Sequence, residues 1–193
     1  MFREAETPAG AGTDFTPEEG RVEGCSKDAQ SVTPEWEPRQ ELIQGVRVKE
    51  VRNVLRDGGG VMTEIFRRDW APDGGAVEQV FQSLLLPGVV TAWHAHRFTT
   101  DRLFVSQGAF KVALYDGRRR SPTYGLTNEF RFGSARPALL TVPPGVWHGA
   151  QNISAQPALL LNLVDRAYSY EDPDHWRLPA DTDKIPYAFG AVD

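Results

Sequence analysis

His94 and His96 stand two apart in Gly88-Val-Val-Thr-Ala-Trp93-His94-Ala95-His96. On a strand that spacing puts both imidazoles on one face. Asp101 opens the next apolar run, Leu103-Phe104-Val105, and a third histidine, His148, follows the turn Pro143-Pro144-Gly145. Three imidazoles and a carboxylate can hold a divalent cation, and Zn, Fe(II), Mn, Ni and Co all accept such a set. Such a cation can serve as a Lewis acid. The competing arrangement is a polar barrel mouth in which His94 and Asp101 share hydrogen bonds. Tyr168 and Tyr170 alternate around Ser169, so either ring could face a pocket or serve packing. Trp93 and Trp147 each precede a candidate histidine, which puts them on the opposite strand face, in a core or interface. Arg102 points away from Asp101 for the same reason. His175 lies beside Trp176 in a polar tail and reads as structural.

These residues need strands to position them. Strand-like runs cover 46–51, 61–66, 77–86, 90–96, 101–107, 110–115, 129–132, 138–142, 148–152 and 158–164, with Gly58-Gly59-Gly60, Pro87-Gly88 and similar turns between them. In 110–115, Phe110, Val112 and Leu114 face one way and Lys111, Ala113 and Tyr115 the other. No segment before Asp165 has a helical period, and one short helical turn is expected in 172–181. Many short strands with frequent turns predict an all-β sandwich or barrel. Residues 1–38 are rich in Gly, Pro, Thr, Glu and Ser. They predict a mobile N-terminal arm, with Trp36 as its one anchor, ahead of a single domain over 39–193.

The spacings resemble the two cupin motifs. Gly88, His94, His96, Asp101 and Gly108 fall on the first, with Asp101 where glutamate is usual and one methylene shorter. Pro143, Gly145, His148 and Asn152 fall on the second, whose leading glycine is Pro137 here. The resemblance implies a double-stranded β-helix, the cupin jelly-roll barrel, and a homodimer. It makes His94, His96, Asp101 and His148 the ligands of a divalent metal. Four matched spacings favour the metal site over the hydrogen-bonded barrel mouth. The segment 42–66 is the one expected to cross to the partner, leaving Val61, Ile65 and Phe66 wet in a monomer.

A narrower resemblance rests on Asp116-Gly117-Arg118-Arg119-Arg120-Ser121-Pro122-Thr123-Tyr124-Gly125. This run is similar to one in the dTDP-4-dehydrorhamnose 3,5-epimerases, and the order of motifs around it, from Leu85 to Tyr170, is similar too. That family epimerises carbons next to a keto group without a metal. The resemblance implies that His94 is the base that removes a proton, and that Tyr168 falls on a later tyrosine of the family. The lysine that holds the enolate falls on Asp101, the proton-donating tyrosine on Asn162, and an arginine on Thr91. Asp101 would oppose an enolate, and a cation would restore the positive charge lost with the lysine. Arg118–Arg120 could grip a phosphate, although a solvated hairpin tip is the simpler expectation. An aspartate orienting His94 is sought at Asp181 or Asp183.

The expected function is therefore a metal-supported epimerase or isomerase acting next to a carbonyl of a sugar or sugar nucleotide, with His94 and Tyr168 in the chemistry. Two other classes stay open: a metal-dependent oxygenase or lyase on a small acid, and a non-catalytic cupin that binds a small ligand. The composition narrows the partners. Net charge is -5 over 193 residues with no long basic stripe, which argues against nucleic acid and anionic membranes. Cys25 is the single cysteine, so no internal disulfide forms. No signal-like or membrane-length apolar run is present, and a cytoplasmic protein is expected.

Overall fold

The computed structural model describes residues 15–35, 37–71 and 75–190. Trp36, the expected anchor of the arm, lies outside them. The chain divides into two units, 1–40 and 41–193. In the first, a single 3-10 turn at Pro17–Glu19 is closed where the Glu19 carboxylate accepts the Thr16 N–H at 2.9 Å, and Val32 bridges to Pro38. Almost all its described side chains are exposed.

The second unit is built from strands. In chain order they are β1 (Arg47–Glu50), β2 (Asn53–Leu55), β3 (Val61–Thr63), β4 (Gln79–Leu85), β5 (Val90–Ala95) and β6 (Asp101–Gln107). They continue as β7 (Ala109–Asp116), β8 (Thr127–Gly133), β9 (Ala138–Val142), β10 (Val146–Asn152), β11 (Ala158–Val164) and β12 (Trp176–Arg177). One antiparallel sheet runs β1-β9-β6-β11-β4 and a second runs β12-β5-β10-β7-β8, while β2 and β3 form a separate hairpin. This is the jelly roll that the cupin spacings imply. No helix among the described residues is long and apolar enough to cross a membrane.

Period-two alternation turns one face of each sheet inward. Leu103 and Val105 of β6 and Leu140 of β9 meet Phe110, Val112 and Leu114 of β7 and Phe130 and Phe132 of β8 in one buried cluster. Each such side chain contributes about 1.5–3 kcal/mol relative to exposure. The alternation assigned to 110–115 thus predicts the inward set, while Ala113 on the other face packs with Trp93 and Ile185.

Tight packing recurs where β6 turns into β7. Gly108 holds φ +79°, and a Cβ there would sit 2.5 Å from Ala158 Cβ and 2.8 Å from Ser154 Oγ. Gly108→Ala combines a left-handed backbone with overpacking, so a loss of about 2–4 kcal/mol is expected. Urea unfolding reads it, and a midpoint shift under about 0.5 kcal/mol would contradict this account.

Three expectations need correction. The run 61–66 is strand only to Thr63, because Ile65 and Phe66 turn onto the outer face of the first sheet against Phe104, Leu139 and Leu163, joined by Trp70 and Val77. They are therefore half-buried in their own chain, and of the three residues expected to be wet Val61 alone is largely exposed. The segment expected to cross to a partner includes β1, yet β1 registers on β9 of the same chain, Arg47 opposite Thr141. Finally, the tail forms strand β12 in place of a helical turn. Pro173 and Pro179 disfavour a helix there. The free edge of β5 offers partners instead, with Trp93 N–H to Leu178 O at 2.9 Å and the reverse bond at 3.0 Å.

Candidate active site

His94 of β5 and His148 of β10 are register partners across the second sheet, with ring centroids 4.1 Å apart. The register shifts between His148 and Ala150. Gly149 makes this approach possible, since a Cβ on it would collide with the Ala92 side chain. A bulge of this kind re-aims the neighbouring side chain. His96, just past the end of β5, completes a triad in which His94, His96 and His148 each bring one ring nitrogen within 4.8 Å of the others. Asp101, at the start of β6, is buried beside them. Its Oδ2 lies 3.4 Å from His96 Nε2 and 3.7 Å from His148 Nε2. The shorter reach of aspartate is thus sufficient to bring the carboxylate against two of the imidazoles.

Hydrogen bonds fix which ring nitrogens are free. His96 Nδ1 donates to the carbonyl of Asp174 at 2.5 Å, and His148 Nδ1 donates to the carbonyl of Val146 at 3.2 Å. A carbonyl only accepts, so in the neutral rings each Nε2 carries a lone pair. Both lone pairs face the Asp101 carboxylate, which is itself an acceptor. His148 Nε2 is buried with no hydrogen-bond partner, and so is His94 Nδ1. Burial, then the neighbouring His148, His175 and His96 rings, hold His94 well below the usual imidazole range. Burial also lowers His148, against the opposing pull of Asp101. Both are therefore neutral at pH 7. The nitrogens of three histidines and the Asp101 carboxylate converge here, and that donor set suits a metal of intermediate softness.

Two members of the site escape sequence reasoning. Asn162, 7% exposed, donates from Nδ2 to Asp101 Oδ1 at 2.6 Å. Its signal was a lone amide in the apolar run Ala158-Leu-Leu-Leu-Asn162-Leu-Val, since a buried amide needs a partner. His175, expected to be structural, instead joins the cluster, with ring centroids 4.9 Å from His96 and 5.3 Å from His94. Burial, then the charge of Arg177, pushes its pKa down to about 4. No motif marks this residue; only the pairing of β12 with β5 brings it in. The Asp174 carboxylate fixes the same corner by accepting the N–H groups of Arg97, Phe98 and Thr99 at 2.7–3.1 Å. Asp181 and Asp183, considered as orienters of His94, are exposed, and Asp183 pairs with Lys184 at 2.9 Å.

The cluster sits in a cleft of about 1030 Å³, lined also by Phe81, Ser83, Thr91, Asn162, Tyr168 and Arg177. Tyr168 is half-exposed in that cleft. Its backbone N–H donates to Gln79 Oε1 at 2.8 Å, and its ring meets Tyr170 edge-on at 5.2 Å. Trp93 is fully buried, and Trp147 packs with it on the far face of the sheet. Arg102 points away from the cleft as expected, with its guanidinium bonded to Ala76 O at 3.2 Å.

The segment 116–125 is not a phosphate grip through Arg118. Asp116 is fully buried and accepts from Arg118 Nε at 2.8 Å, Ser121 Oγ at 2.6 Å and Thr123 Oγ1 at 2.6 Å. Arg118 also donates to Gln44 O at 2.8 Å. Asp116-x-Arg118 and Ser121-Pro122-Thr123 thus tie a loop together, while Arg119 and Arg120 stay exposed. Burial opposes ionisation of Asp116, but these donors outweigh it and hold the carboxyl well below its usual range. Its folded pKa lies below the unfolded value, so its stabilisation is present above about pH 4 and is lost as pH falls further. Urea midpoints should fall progressively as pH drops below about 4. Asp116→Asn should cost about 2–3 kcal/mol at neutral pH and flatten that dependence. An unchanged slope in the variant would place the acid sensitivity elsewhere.

Comparison with known proteins converges on one family. The family model for dTDP-4-dehydrorhamnose 3,5-epimerase matches residues 40–187. The "probable low-salt glycan biosynthesis epimerase Agl13" of Haloferax volcanii is 37% identical over 140 residues, covering 72% of this chain and 89% of the relative. The "spore coat polysaccharide biosynthesis protein SpsL" of Bacillus subtilis is 32% identical over 149 residues, covering 76% and 95%. Among solved structures, a dTDP sugar isomerase from Desulfovibrio desulfuricans superposes with a TM-score of 0.70 at 31% identity, covering 76% of this chain and 91% of that one. With its cleft, its jelly roll and these relatives, the chain belongs to the dTDP-4-dehydrorhamnose 3,5-epimerase family of sugar-nucleotide epimerases and isomerases.

Proposed function

We propose that this protein is an epimerase or isomerase of a nucleotide-linked keto sugar, acting at a carbon next to the carbonyl, with a divalent cation held by His94, His96, His148 and Asp101. Membership of the family supports the substrate class. The observation that carries the metal is the convergence of the His96 and His148 Nε2 lone pairs on the Asp101 carboxylate, beneath an open cleft. A bound cation would polarise the sugar carbonyl and offset the charge of Asp101, which alone would oppose an enolate.

The remaining steps belong to the chain. Asn162 holds Asp101 by its Oδ1 and leaves Oδ2 toward the histidines. Asp174 holds the His96 tautomer through its carbonyl. A lone pair of His94 given to the cation is not free to take a proton, so Tyr168, in the same cleft, would take the proton from carbon as its phenolate and pass it to solvent, which returns a proton to the other face. Among the described residues, Arg166 and Arg177 are the arginines lining the cleft and would meet the diphosphate.

The test uses dTDP-4-keto-6-deoxyglucose in heavy water with the metal-loaded protein. Deuterium at carbon 3 or 5 is the expected result; none would remove this substrate. Elemental analysis is expected to find one equivalent of metal per chain.

The same proposal includes a homodimer. The edge strand β4 exposes Val80 and Leu84, 55% and 63% exposed, with Leu86 beyond its end. Open apolar edges are covered in native proteins. Light scattering should give a mass near twice 21.5 kDa; a monomer at micromolar concentration would refute this part.

A further inference from the structure

We infer that His175 is an additional imidazole ligand of the same cation, so that metal binding fastens the C-terminal strand β12 across the site. This rests on the metal reading above and extends it to a residue that neither the cupin nor the epimerase spacing contains.

Three observations carry it. First, His175 Nε2 is buried without a hydrogen-bond partner. A structural histidine in a polar segment would have that nitrogen bonded or wet. Second, its ring stands against two members of the triad, 4.9 Å from His96 and 5.3 Å from His94 between centroids. Third, the chain on either side is fixed. Asp174 is clamped by Arg97, Phe98 and Thr99 and accepts from His96 Nδ1. Trp176 and Arg177 are in register with Ala95 and His94. The dipeptide Asp174-His175 therefore orients one imidazole of the triad and presents another beside it.

The chemistry selects the metal. A further neutral imidazole adds nitrogen donation without charge, which favours Zn, Co(II) and Ni over Mg, Ca and Mn. It also ties metal occupancy to the order of the tail, because the ligand stands next to the strand that closes the β5 edge.

The experiment uses full-length protein stripped with chelator and titrated with Zn(II) and Co(II), in the wild type, His175→Asn and His175→Gln. Circular dichroism checks that each variant is folded. Wild type is expected to take up one equivalent. The variants should still bind one equivalent through the remaining ligands, at least about tenfold more weakly. Their Co(II) visible spectrum should be altered. In wild type, metal should slow hydrogen exchange of the Leu178 amide, which is bonded to Trp93 O at 3.0 Å; in the variants that added protection should vanish. Wild-type metal uptake with unchanged affinity and Co(II) spectrum in both folded variants would overturn the role of His175 and leave the triad standing. A wild type that takes up no metal would overturn both readings.

Discussion

Asp101→Asn is expected to move stability and metal affinity in opposite directions. In metal-free protein the variant should be more stable by about 1–2 kcal/mol, while its affinity for Zn(II) or Co(II) should fall at least about tenfold. The reason is the acceptor conflict at Oδ2, which faces two imidazole lone pairs at 3.4 and 3.7 Å. An amide at 101 could keep its oxygen on Asn162, replacing the bond that Asp101 Oδ1 now accepts at 2.6 Å. Its NH₂ would then donate toward His96 or His148, turning a repulsion into a hydrogen bond. Sites that hold charge for function commonly carry such a stability cost. Thermal melts with chelator and with metal separate the two effects. A lower midpoint for the chelated variant would show that a proton already bridges Asp101 and a histidine.

The second large effect is on turnover. Tyr168→Phe should lower kcat about 10²–10³-fold, within the range for loss of a general acid or base. kcat/KM should fall by a similar factor, since the lost interaction is made in the transition state. Solvent-deuterium uptake into the substrate should slow with it. Tyr170, 87% exposed and meeting Tyr168 edge-on, provides the control; Tyr170→Phe should change kcat less than about fivefold, as expected of a packing residue. Equal losses in both variants would make the tyrosine pair a structural clasp. Full activity in Tyr168→Phe would return the proton transfer to His94.

Much of this was legible in the chain because strands and glycines announce themselves locally. β6, β9 and β11 fall on the expected residues, since alternation and apolar runs are short-range signals. His94, His96, Asp101 and His148 converge as their spacings imply. What stayed hidden depends on pairing across the sequence. β12 has two residues and no alternation of its own; it is a strand because β5 has an open edge. His175 and Asp174 reach the site only through that edge. In the sequence Asn162 stands only where the resemblance places a tyrosine, and its role depends on lying beside Asp101 on the neighbouring strand. Ile65 and Phe66 have the composition of a strand but follow the apolar outer face of the first sheet.

The distances in sequence spanned by the site have a kinetic consequence. His96 and Asp174 are 78 residues apart and Asp101 and Asn162 are 61 apart, yet each pair is hydrogen bonded. Such contacts require large loops to close first, so they belong to the late, native side of the folding barrier. Changes at these positions should therefore leave the refolding rate nearly constant and act on the rate of unfolding. The site is then assembled last and released first: its residues set how long the barrel stays folded, and the sequence-local β7–β8 pairing, Tyr115 opposite Thr127, sets how fast it forms.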